Sequence, residues 1–327
     1  MRGLDHIHDD NLTQAIAQTG KSDVAEVQEL NARRMRIRSL KGIEQLRNLR
    51  KLHLGQNEIN DISPLSSLKK LTGLFLEKNN IHDVSPLGEL KKLPALNLHG
   101  NKVSDLSPLT SEHKLTWLNL SDNAITDIAP LSLCSFLTNL NMSGNNIANL
   151  SPISSHPRLR ILEAKDNELG PVVELIGCPR LRALNFARNA IERVYLHSKL
   201  GGLHSLDLSG NKISSIEFLK SAPNLNALNL SENPIPSVPS GIFGLQSLKF
   251  LYLWHTGIES LQEIEKLTGL EELGVADNRL SDVSILLKLN SLKLLFLGGN
   301  LNIPESQLKA IESKGMEDFR CPHWKEL

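Results

Sequence analysis

Apolar residues recur along this chain with one long period. In residues 49–70, LRKLHLGQNEINDISPLSSLKK, with the first leucine as offset 0, they fall at offsets 0, 3, 5, 10, 13, 16 and 19, and an asparagine stands at offset 8. Copies begin at Val27, Leu49, Leu71, Leu93, Leu115, Leu137, Leu159, Leu181, Leu203, Leu225, Leu248, Leu270 and Leu292. Twelve of these thirteen open with Leu, and eleven carry Asn at offset 8, the exceptions being Met35 and Thr256. Only the copy at Leu225 is longer, at 23 residues. Such a period predicts stacked units that bury a continuous core between neighbours, so residues 27–303 read as one solenoid.

Within each unit, offsets 2 to 6 alternate outward and inward, the period of a β-strand. Stacked copies then give a parallel sheet with strands about 4.8 Å apart. The offset-8 asparagine, with both a donor and an acceptor, is predicted to bond the backbone of adjacent turns as a structural ladder. Pro64, Pro86, Pro108, Pro130 and Pro152 at offset 15 exclude a long helix on the return path and predict extended or 3-10 segments there. Asp61, Asp83, Asp105, Asp127, Asn149 and Asp282 at offset 12 read as capping acceptors before those turns rather than as calcium ligands.

The pattern L-x-x-L-x-L-x-x-N-x-I resembles the leucine-rich repeat, and the 22-residue length with I-S-P-L is similar to its shortest class. That class includes phosphatase-regulatory subunits and bacterial internalins. The resemblance implies an α/β fold, a right-handed horseshoe solenoid with a parallel β-sheet on its concave face and extended or 3-10 segments on its convex face.

Four departures from the pattern bear on organisation. Residues 1–26 lie outside it. Asn11 followed by Gln14, the apolar Leu12, Ala15 and Ile16, and a stop at Gly20 predict a capping helix, preceded by a solvated tail with His6, His8, Asp9 and Asp10. Residues 304–327 are predicted to form a carboxy-terminal cap, with a helix over 304–315 and a tail bearing Phe319, Cys321, His323 and Trp324. The units at Leu159 and Leu181 lose S-P-L and place His197 at an apolar offset, which predicts local re-routing with Leu196 or Tyr195 turned inward. The unit at Leu225, with IPSVPSGIFGL, looks like the longer typical repeat.

Lys plus Arg is 36 and Asp plus Glu is 36, so the chain lacks the uniform field of a general nucleic-acid or membrane binder. Arg33, Arg34, Arg36 and Arg38 form a local basic run, read as a solvated edge. Cys134 and Cys178 occupy the apolar offset 19 and read as buried packing residues. The amino terminus, MRGLDHIHDDN, has no apolar core of signal-peptide length, and no apolar run is long enough to span a bilayer. The expectation is a cytoplasmic, monomeric protein with no membrane, nucleic-acid or small-molecule partner, no cofactor and no metal.

No phosphate-cradling glycine loop, metalloprotease helix or nucleophile elbow is present, and only 35 residues follow Leu292, too few for a separate catalytic domain. The chain reads as a non-catalytic scaffold that binds a partner protein. Outward offsets 2, 4 and 6 pave the concave face, where side chains are free of the core. Most are bland. In LKFLYLWHT, however, Phe250, Tyr252 and Trp254 all face outward with His255 beside them, and Leu294 and Phe296 follow two strands on. Glu272, Gly274 and Ala276 between them predict an acidic rim and a shallow hollow walled by aromatics. Each aromatic buries about 150–250 Å², so three supply over half of the roughly 800 Å² that one side of a standard interface contributes. Phe319 or Trp324 folding back over this patch is the competing reading. A weaker second patch combines His53, Phe75, Glu77, His99 and Trp117. The resemblance further implies either regulation of an enzyme such as a type 1 protein phosphatase, or a bacterial host-interacting role.

Overall fold

The computed structural model of the chain describes residues 1–109 and 114–315, and residues 317–318 for their backbone alone. The predicted Phe319, Cys321, His323 and Trp324 lie outside the described residues, as does any cover they would give. The chain divides into two compact units, Met1–Glu168 and Leu169–Leu327.

In the first unit a 3-10 turn (Leu4–His6) and helix α1 (Asp10–Ala17) precede strands β1 (Glu29–Asn31), β2 (Lys51–His53), β3 (Gly73–Phe75), β4 (Ala95–Asn97), β5 (Trp117–Asn119), β6 (Asn139–Asn141) and β7 (Ile161–Glu163). These pair in sequence order, all parallel, with a register of 22 residues from strand to strand. The second unit holds β8 (Val172–Leu175), β9 (Ala183–Asn185), β10 (Arg193–Leu196), β11 (Ser205–Asp207), β12 (Ala227–Asn229), β13 (Phe250–Tyr252), β14 (Glu272–Gly274), β15 (Leu294–Phe296), helix α2 (Glu305–Ser313) and β16 (Glu317–Asp318). Its main sheet runs β9-β11-β12-β13-β14-β15-β16, again parallel, while β8 and β10 pair with each other apart from it. Each unit is thus a leucine-rich-repeat solenoid segment. Residues 317–318, assigned to a tail on sequence, instead add a strand beside β15.

The regular strand covers offsets 2 to 4 only, shorter than the predicted span, yet the ladder continues past it. The offset-5 N–H of Leu54 donates to Phe75 O, and the offset-7 N–H of Gln56 donates to Glu77 O. Burial follows the predicted alternation: Leu52 and Leu54 are wholly enclosed while His53 is half-exposed. Each fully buried Leu contributes about 1.5–3 kcal/mol, which is why the spacing, and not any single residue, specifies the stack.

The asparagine ladder is as expected. Asn57 Nδ2 donates to Leu54 O and Ala32 O, both at 2.8 Å, and its Oδ1 accepts from Met35 N and Ile37 N of the preceding repeat. Where Thr256 replaces Asn, its hydroxyl bonds Leu253 O at 3.0 Å, and Asn278 Oδ1 from the next repeat takes the N–H groups of Thr256, Gly257 and Ile258. The offset-12 carboxylates cap as predicted: Asp61, Asp83 and Asp127 accept from the N–H groups of Ser63, Ser85 and Ala129, each at 2.8 Å. Short 3-10 turns follow at Ser63–Ser67, Ser85–Glu89 and Ala129–Leu133.

Two sequence readings need correction near the amino terminus. Asp9, not Asn11, caps α1, its Oδ1 accepting from Asn11 N and Leu12 N. Its Oδ2 accepts from Arg38 N and Ser39 N, so Asp9 ties the helix start to the first repeat and is not part of a solvated tail. The basic run is also partly neutralised: Arg33 pairs with Glu77 and Arg38 with Glu58, both at 2.7 Å.

The units that lose S-P-L replace the 3-10 turn with β8 and β10. Leu196 takes the inside, Tyr195 stays exposed, and His197 Nε2 lies 2.6 Å from Glu174 Oε1. Cys134 and Cys178 are buried and unbridged. Between them in the same offset-19 column stands His156, only 4% exposed, which bonds Leu131 O at 3.0 Å. Among the described residues no helix is long and apolar enough to cross a membrane, and no cluster of three His, Cys, Asp or Glu could hold a metal ion.

Candidate functional site

Along β13 and the turn after it, Leu251 and Leu253 point into the core and Phe250, Tyr252 and Trp254 point out. Parallel register sets Phe250 beside Glu272 and then Leu294, and sets Tyr252 beside Gly274 and then Phe296. The missing side chain at Gly274 decides what happens on this face. A Cβ there would collide with the Trp254 indole, so Trp254 occupies the space that the glycine leaves. From it, the ring centroids of Tyr252 and Phe296 are 5.6 and 5.7 Å away, both edge-on at 73° and 72°. The predicted hollow over Gly274 is therefore filled by Trp254, and the surface is a continuous array of three rings rather than two walls. Each edge-to-face pair contributes about 0.5–1.5 kcal/mol beyond its burial, which fixes the rings before any partner arrives.

Glu272 orients the array from one side, its Oε1 accepting from the Tyr252 hydroxyl at 2.8 Å. Burial, then the hydrogen bond and charge of Glu272, pushes the Tyr252 phenol well up from its ordinary range, so it stays a donor. The Trp254 N–H of the backbone donates to Ser231 Oγ at 3.1 Å, tying the array to the preceding repeat. Phe250 is 36% exposed, Leu294 and Phe296 are half-buried, and Ala276 is enclosed. His255 is exposed but lies in a left-handed turn (φ 51°), where it lines a separate groove on the rim with Glu232, Asp277 and Arg279.

In the first unit, His53 stacks on Phe75 at 4.5 Å with rings 2° from parallel, and Phe75 meets Trp117 at 6.3 Å. Burial lowers the His53 pKa, with Glu29 and Glu77 opposing. Glu77 is only 7% exposed, held by Arg33 and by Asn97 Nδ2 at 3.2 Å. His99 Nδ1 is 2.9 Å from Ser121 Oγ and 3.2 Å from Asp122 Oδ2. The three rings form a surface, whereas Glu77 is buried with its partners and His99 is half-buried and held by Ser121 and Asp122.

Sequence reasoning missed the offset-7 column. Arg34, Gln56, Lys78, Asp122, Asp166, Arg188, Glu232, His255 and Asp277 all adopt positive φ, as do Gly100, Gly144, Gly210 and Gly299. Every repeat therefore turns through the left-handed region at one place and projects that side chain onto the rim. The glycines signal this in sequence, and Asp122, Asp166, Asp277 and His255 do so weakly; Arg, Lys, Gln and Glu there do not.

Leucine-rich-repeat family models match residues 201–258, residues 113–155 as two copies, and residues 45–62. No curated protein matches the chain by sequence. An internalin (inlF) from Listeria monocytogenes is 28% identical, with 96% of this chain and 89% of that one covered and a TM-score of 0.76. A leucine-rich-repeat protein of Leptospira interrogans is 22% identical over 94% of this chain and 98% of its own, with a TM-score of 0.66. The plant peptide hormone receptor RGFR1, in complex with RGF2, is 24% identical over 79% of this chain and 52% of its own, with a TM-score of 0.57. With thirteen copies of the motif, the asparagine ladder and these matches, the chain is a leucine-rich-repeat protein.

Proposed function

We propose that this protein is a monomeric, non-catalytic scaffold that holds a partner protein on the open sheet face of its second unit, through Phe250, Tyr252, Trp254 and Phe296. The observation that carries the reading is the ring array itself: three aromatics locked edge to face over Gly274 on a solvent-facing sheet. The core does not call for them, since the same outward offset carries Asn97, Asn141 and Asn229 in other repeats. Rigid Tyr and Trp side chains supply contact area at little entropic cost and are enriched among residues that dominate binding energy. Leucine-rich-repeat solenoids commonly serve as binding scaffolds, and the same fold carries RGF2 in the plant receptor. Of the narrower readings, the internalin-like one is supported by 28% identity across 96% of the chain.

The test is capture from a lysate on immobilised wild type and on a Tyr252→Ala, Trp254→Ala double variant, identified by mass spectrometry, beside thermal melts of both. Selective loss of captured protein with a nearly unchanged melt supports the reading. A melt that collapses, with capture lost in proportion, makes the aromatics structural.

A further inference from the structure

Immediately beyond Trp254 the rim opens into a groove of about 740 Å³ lined by Glu232, His255, Asp277 and Arg279 over a floor of Asn233, Thr256 and Asn278. The floor is chemically spent. Asn233 donates to Leu208 O and Leu230 O and accepts from Ile213 N, and Asn278 and Thr256 are bonded as described above. What the groove offers a ligand is therefore its walls.

Two carboxylates dominate those walls. Glu232 and Asp277 occupy the left-handed column two repeats apart, about 10 Å along the sheet, with the exposed His255 between them. Neither forms an ion pair among the described residues, whereas Arg279 is paired with Glu259 at 3.6 Å. Asp277 is also positioned: a Cβ on Gly299 would collide with its Oδ1, so its carboxylate rests in the space the next repeat's glycine leaves. The fold does not dictate the charge at Glu232, since the same column carries Arg34 and Lys78 in the first unit and a glutamate has no intrinsic preference for positive φ, whereas an aspartate, as at Asp122, Asp166 and Asp277, suits that turn by itself.

We infer that this groove receives a lysine or arginine side chain of the partner whose apolar residues rest on Tyr252, Trp254 and Phe296. The inference rests on the interface reading above and names the partner's chemistry: a polypeptide segment with a cation close in sequence to an aromatic or aliphatic anchor. Trp254 and His255 are adjacent, so in an extended segment rising about 3.3 Å per residue the two features lie within about three residues of each other.

The test uses a phage-displayed library of random twelve-residue peptides, selected on the full-length protein. Enriched sequences should place Lys or Arg within about three residues of an aromatic or aliphatic residue. The best peptide should bind a Glu232→Gln, Asp277→Asn variant about tenfold more weakly, with the loss shrinking as salt is raised. Replacing its basic residue by norleucine should weaken wild-type binding similarly and leave binding to the variant unchanged. Peptides that need Tyr252 and Trp254 but show no basic enrichment and ignore the two carboxylate substitutions overturn the inference and leave the interface reading standing. Peptides that depend on the carboxylates but not on Tyr252 and Trp254, or a library that yields no binder, overturn the inference together with its shared-partner geometry.

Discussion

Trp254 lies in the space that a side chain at residue 274 would take, with a Cβ on Gly274 colliding with the indole. The glycine is thus part of the candidate site although it presents no side chain. Gly274→Ala should push the indole off its edge-on contact with Phe296 while β14 keeps its backbone pairing with β13 and β15. The expected result is an altered near-ultraviolet circular dichroism spectrum, an unaltered far-ultraviolet spectrum, and partner binding at least about tenfold weaker. An unchanged near-ultraviolet signal would show that the indole does not depend on the notch.

The ladder asparagines are the opposite case, buried and structural. Asn145 donates to Leu120 O and Met142 O and accepts from Ile125 N, all near 3.0 Å. Asn145→Ala strands the Ile125 N–H, while Leu120 O and Met142 O each keep one donor, Asn123 Nδ2 and Asn167 Nδ2, and it should cost about 1–3 kcal/mol in urea denaturation. A loss well below about 1 kcal/mol would mean that water or a shifted backbone satisfies that N–H.

Stability should fall as the solution is acidified below neutrality. Burial lowers the His156 pKa from 6.5 more than its bond to Leu131 O raises it, and burial likewise lowers that of His53. A histidine with a depressed folded pKa binds its proton more readily when unfolded. Its neutral form is therefore fully favoured above pH 6.5, and stability is lost as pH drops from there toward the folded pKa. Chemical denaturation between pH 7.5 and pH 5 should show this slope. His156→Leu, which restores the repeat's usual residue, should flatten it; a variant that keeps the full slope would move the effect elsewhere.

The offset-19 cysteines should be inert in the folded protein. Burial alone pushes the Cys134 thiol up to about 11, and Cys178 is 1% exposed. Iodoacetamide at pH 8 followed by peptide mapping should leave both unmodified until denaturant is added. Labelling of Cys134 under native conditions would reveal local opening of that repeat.

How much of this was legible in the sequence follows from what each feature costs the chain. The solenoid was legible because buried leucines and asparagines must recur at fixed offsets to close every turn, and Asn57 and Asp61 make the bonds that their positions predict. The aromatic strand was legible as a departure from that rule. Its geometry was not: Gly274 read as the floor of a hollow, because nothing in the sequence says which neighbour leans into the space. The rim groove was hidden for a different reason. Glu232 carries no turn signature and Asp277 and His255 only a weak one, so the left-handed conformation is imposed by the repeat more than it is chosen by the residue. Strands β8 and β10 escaped because V-V-E-L and R-V-Y-L pair 21 residues apart, off the 22-residue period and outside the strand register that the motif defines.

The account stands most directly on whether the ring array binds. Once a partner has been captured and purified, its affinity for the wild type and for the Tyr252→Ala, Trp254→Ala variant should be measured by titration calorimetry under identical salt. The account predicts a loss of about a hundredfold or more, with both proteins melting within a few degrees of each other. Equal affinities would place the partner on another surface and contradict it.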